Sequence, residues 1–127
     1  MNEDVKIKFI DALLSGEYNQ IRGALRSKDG NCANGVLCEL AIQERLIGIR
    51  HGNGKMVYGS TLFTEKENSG YVSYDGILDE RFRNDYPPDV VLRWAGVTRD
   101  WSARLANLND ARKTFADIAE ILKNEGI

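Results

Sequence analysis

The sequence predicts an α+β fold, four or five helices packed on a small antiparallel sheet. Three observations lead there. Apolar residues recur at helical spacing near both ends of the chain. Residues that suit a pleated surface, Val57, Tyr58, Thr61, Leu62 and Phe63, then Tyr71 and Val72, gather in the middle. The order of helix, then strands, then helices fits α+β rather than alternating βαβ units. With 127 residues and 43% apolar content, the chain is expected to fold as a single domain, 1–127, on one core.

Each element has its own signal. Val5, Phe9 and Leu13 step by four, with Ile10 and Leu14 beside them, predicting a helix over 4–14 that Ser15-Gly16 ends. Residues 17–26 read as a short mixed segment, and 28–31 as a turn. Asn34-Gly35 opens the central helix, 34–47, apolar on more than one face and stopped by Gly48. A loop is expected at 51–54, then strands at 55–63 and 70–74 joined by a polar loop, with a third short strand near Ile77-Leu78. Pro87-Pro88-Asp89 sets up a short helix stopped by Gly96. Trp101, Leu105 and Leu108 mark another helical segment, broken at Asn109-Asp110. Thr114 caps the last helix, whose inward stripe is Phe115, Ile118, Ala119 and Leu122. The expected core comprises Phe9, Leu13, Leu37, Leu40, Ala41, Trp94, Phe115, Ile118 and Leu122.

Charge and composition exclude several functions. The formal net charge of −2 gives no whole-protein basic footprint for DNA or RNA polymers. Two cysteines make no disulfide framework, and one histidine, His51, supplies no visible metal-ligand set, so no cofactor is expected. Apolar runs fall short of the roughly 20 residues that span a bilayer, and the acidic start is unlike a signal peptide. The expectation is a cytoplasmic protein without a membrane partner.

Candidate ligand residues are few. The loop from Gly30 to Gly35 delivers permissive backbone to a helix amino end, where unpaired amides and the helix dipole bind phosphate or carboxylate. Residues 20–28 hold Arg22, Arg26 and Lys28 and no acid, so the arginines could close over such an anion. The bland alternative is that Asn34 caps the helix. Asn109, with Asn107 and Asp110, could hydrogen-bond a base or ribose, or simply form a turn. Tyr58, Tyr71 and Tyr74 could stack on a base or pack across strands. Asp79, Glu80 and Asp85 beside Arg81 and Arg83 read first as a solvated loop. Cys32 has only His51 to activate it, and Cys38 reads as a small buried hydrophobe. The expected ligand set is Tyr18, Arg22, Arg26, Asn34, Gly35 and Asn109, with no catalytic residue.

Several segments carry a resemblance in order. These are 12–20 (Ala-Leu-Leu-Ser-Gly-Glu-Tyr-Asn-Gln), 32–41 (Cys-Ala-Asn-Gly-Val-Leu-Cys-Glu-Leu-Ala), Trp94-Ala95-Gly96, 105–110 (Leu-Ala-Asn-Leu-Asn-Asp) and 114–120 (Thr-Phe-Ala-Asp-Ile-Ala-Glu). The series resembles a group of small bacteriophage proteins with a Cys-Cys-Leu-Gly-Val-Leu-Cys helix opening. Ala33 and Asn34 depart from that pattern. The resemblance implies a phage accessory protein. Together with the candidate residues it leads to two expectations. One is sequestration of a small anionic nucleotide, such as an immune messenger, without chemistry and as a homo-oligomer, a dimer above all. The other is inhibition of a host defence protein by surface contact.

Overall fold

The computed structural model describes residues 1–47, 49–52, 55–58, 86–124 and 127. Along them run α1 (Glu3–Leu14), β1 (Arg26–Ser27), β2 (Gly30–Asn31), α2 (Ala33–Gln43), β3 (Ile49–Gly52), β4 (Lys55–Tyr58), α3 (Asp89–Ala95), α4 (Arg99–Asp110) and α5 (Phe115–Asn124). The fold is α+β, with five helices and two antiparallel two-stranded ribbons among the described residues.

The helix α2 is the hub. Its stretch from Ala33 to Cys38 is buried without a break, so no face is left for water. α1 lies against α2 and α5, while α4 packs on both α2 and α5. The core is the merged stripes of these helices, including Phe9, Leu13, Val36, Leu37, Leu105, Ile118 and Leu122. Phe9 and Trp101 meet as a tilted ring pair with centroids 6.4 Å apart. Of the nine expected core residues, only Trp94 is not buried; it is half-exposed at the end of α3.

Local chemistry sets the ends. Gly96 adopts φ +73° as the left-handed stop of α3. Asn2 donates from its backbone to the Ala95 carbonyl at 2.8 Å and from its side chain to the Trp94 carbonyl at 2.7 Å, tying α1 to the end of α3. Thr114 and Asp117 form a reciprocal capping box at α5, each side chain accepting from the other's amide at 3.1 and 3.0 Å.

Three expectations are corrected. α2 stops at Gln43 rather than 47, because Arg45 turns left-handed at φ 61° and Leu46 donates back to the Ala41 carbonyl. α4 runs unbroken through Asn109 to Asp110, since Asn109 satisfies its side chain elsewhere instead of making a turn. Residues 51–52 are not loop but the end of β3, which pairs with β4 from Ile49↔Tyr58 to Gly52↔Lys55. The described part of the expected strand 55–63 therefore pairs backwards. The expected strands at 70–74 and 77–78, Tyr71, Tyr74, and the Asp79–Asp85 group lie outside the described residues.

Candidate functional site

The amino end of α2 is sealed from within. Cys32 occupies the cap position in extended conformation. The Ala33 amide donates to Asn109 Oδ1 at 3.1 Å, and the Val36 amide to the Cys32 carbonyl at 3.0 Å. The amides of Asn34 and Gly35 face the Cys32 thiol and draw its pKa down, against the larger upward push of burial. An anion there would have to displace protein groups.

Asn34 does not cap the helix. Its side chain is fully buried, donating to the Ser102 carbonyl at 3.0 Å and accepting from Ser102 Oγ at 2.9 Å. It fastens α2 to α4. Gly35 is needed for closeness: a Cβ there would lie 1.9 Å from the Leu25 carbonyl oxygen. Both residues are thus committed to protein contacts.

Asn109 is a second buried tether. Its Oδ1 accepts from Gln20 Nε2 at 2.7 Å as well as from Ala33, and its Nδ2 donates to the Ile21 carbonyl at 2.8 Å. Gln20 extends the network, donating to the Lys113 carbonyl and accepting from the Phe115 amide. Residues from the 20–21 segment, α2, α4 and α5 thus meet at two side-chain amides. Gln20 and Ser102 have no local sequence signal, because their partners lie far away in the chain.

The arginines part company. Arg26 Nη1 donates to Glu39 Oε2 at 2.9 Å in a half-buried ion pair. Arg22 is exposed, with no carboxylate partner among the described residues. Beside it in the chain, Gly23 and Ala24 line a 210 Å³ concavity with Cys32, Tyr86, Asn109 and Asp110. Tyr18 is elsewhere, half-buried between the ends of α1 and α2. Burial raises its phenol pKa, with Glu39 and Glu17 adding to the rise and a bond to Gln43 opposing it. The expected set therefore divides: Asn109 lines one concavity, Arg22 precedes two of its lining residues in the chain, Tyr18 lines another, and Arg26, Asn34 and Gly35 make contacts within the protein.

Nucleophilic chemistry has weak material here. Burial pushes the Cys32 thiol up and the Cys38 thiol well up, the latter being completely enclosed. Both stay protonated at neutral pH, and the thiolate is the reactive form. Among the described residues no three His, Cys, Asp or Glu side chains gather as metal ligands would. No described helix is long and apolar enough to cross a membrane.

Geometry of this kind defines a small α+β protein built around a buried helix whose amino end is closed by distant side chains. The chain belongs to the family described as Domain of unknown function (DUF8296), whose model matches residues 1–126. No curated protein and no solved structure matches it.

Proposed function

We propose that the protein is a phage accessory protein of the host cytoplasm that binds a small phosphate-bearing ligand, a nucleotide immune messenger, and holds it without chemistry. The observation that carries this reading is the 210 Å³ concavity between residues 23–24 and α4, with Arg22, exposed and without a carboxylate partner among the described residues, next to it in the chain. Tyr86 offers a ring for a base, and Asn109 lies in the wall. The phosphate belongs near Arg22 rather than on the α2 amides, of which that of Ala33 is bound to Asn109 while Asn34 and Gly35 are buried beside Cys32.

The concavity is smaller than the roughly 300 Å³ at which ligand pockets ordinarily begin. A homodimer that joins two such concavities would enclose a nucleotide more fully. The protonated thiols support storage rather than turnover.

A thermal-shift screen with cyclic and linear nucleotides tests the proposal. A nucleotide at about 100 times its Kd should add about 2.7 kcal/mol of stability. Arg22→Ala should abolish that shift while leaving the unliganded melting temperature in place. The reading is overturned if no nucleotide shifts the wild-type protein, if Arg22→Ala binds as wild type does, or if recovered ligand is cleaved.

A further inference from the structure

On the opposite side of α2 from its sealed end, a groove follows α1. One half, of 410 Å³, lies at the start of α1 and includes Asp4 and Trp94. The other, of 380 Å³, lies between the ends of α1 and α2 and includes Asp11, Glu17 and Tyr18. Lys8 and Glu44 line both halves, so their ion pair sits where the two join.

The groove is predominantly acidic. Among the described residues, Glu3, Asp4, Asp11, Glu17 and Glu44 line it against one cation, Lys8. The carboxyl ends of α1 and α2 add the partial negative charge of the helix dipole to the second half. The field is felt at the wall, where Glu39 and Glu17 both raise the Tyr18 phenol pKa after burial does. An ammonium group already occupies the groove: Lys8 Nζ stands 3.2 Å from Glu44 Oε2. Both partners are about half exposed, with side-chain exposures of 56% and 44%, so the contact is easily exchanged.

We propose that this groove docks an extended, arginine- or lysine-bearing segment of a protein partner, one cation of which takes the place of Lys8 on Glu44. From Asp4 to Ser15 the groove follows about 16 Å of helix, a length that about five extended residues cover. Trp94 and Tyr18, in opposite halves, offer ring faces to flanking guanidinium groups. This surface is independent of the nucleotide reading, since its charge repels phosphate.

Fluorescence anisotropy with a labelled octapeptide of alternating arginine and glycine tests it, against the same peptide carrying citrulline. The arginine peptide should bind at least about 10-fold tighter, and lose most of that advantage in high salt. Asp11→Asn with Glu17→Gln should weaken binding by about 10-fold at an unchanged melting temperature. Lys8→Gln removes the competing ammonium and should tighten binding by about 3-fold. Equal binding of the two peptides overturns the proposal. So does wild-type affinity in the Asp11 and Glu17 double variant, or weaker binding in Lys8→Gln. If that double variant instead breaks a homodimer seen by light scattering, the occupant is a second copy and the proposal also falls.

Discussion

Asn34 and Ser102 exchange two hydrogen bonds across the interface of α2 and α4, at 3.0 and 2.9 Å, with both residues fully buried. A buried polar pair that is completely satisfied fixes register between helices that apolar packing alone would allow to slide. Removing one partner strands the other. Asn34→Ala should therefore lower stability by about 1–3 kcal/mol in chemical denaturation. The double variant with Ser102→Ala should lose less than the sum of the single losses, because the pair fails as a unit.

Gly35→Ala should be as damaging for a different reason. The new methyl would be driven into the backbone carbonyl of Leu25, which cannot swing aside as a side chain tip can. Overpacking costs about 1–3 kcal/mol, and a backbone obstacle puts this site at the upper end. A melting temperature within a degree or so of wild type would contradict the close packing of the 25–31 segment on α2.

Arg22 and Arg26, four residues apart, should behave oppositely. Arg26→Ala removes the ion pair of the part-buried Glu39 and should cost about 1 kcal/mol, between the values for exposed and enclosed pairs. Arg22→Ala removes only an exposed side chain and should change stability by no more than about 0.5 kcal/mol. Parallel urea titrations compare them directly.

Arg45 and Arg112 end α2 and α4 in left-handed conformation, at φ 61° and 70°. Each is followed by an amide that donates back across the last turn, Leu46 to Ala41 and Lys113 to Leu108. Glycine is the residue suited to that position. Arg45→Gly and Arg112→Gly should each stabilise the protein by up to about 1 kcal/mol, read as a rise in melting temperature.

The capping box of α5 gives the protein an acid sensitivity. The Thr114 amide and hydroxyl hold the Asp117 carboxyl below its ordinary pKa. The folded state thus binds its proton less readily than the unfolded chain does. The stabilisation is complete above the ordinary aspartate range and is lost as pH falls below about 4, through the folded value. Melting curves of Asp117→Asn should fall less steeply with acidification than those of wild type over that range.

Legibility in the sequence tracked distance along the chain. The stripes of α1 and α5, the Pro-Asp start and Gly stop of α3 and the Thr114 cap were readable, because each depends on residues within one or two turns. The helix α2 was readable as central from its all-round apolar surface. Its cap was not: the Asn-Gly opening looked like a helix start with an exposed end, while the actual closure comes from Asn109, 76 residues away. Asn53-Gly54 is a strong two-residue hairpin signal, and the pairing of β3 with β4 on either side of it agrees with that signal rather than with a loop over 51–54. Arg26 looked available to an anion because Glu39, its partner, lies on the next helix. Residue type suggested ligand chemistry at Asn34 and Asn109, but Asn34 is held wholly inside by Ser102, and Asn109, though it lines a concavity, commits its side-chain amide to Gln20, Ala33 and Ile21.

The packing of α1 on α5 also dictates how the chain can be made. α1 leaves the ribosome before α5, and its buried residues Phe9, Ile10 and Leu13 belong to a helix that packs on α5 as well as on α2. Until α5 emerges, α2 covers only part of that helix, and the rest invites association with neighbouring nascent chains. The protein is therefore at its most vulnerable during its own synthesis, while the last helix is still in the exit tunnel.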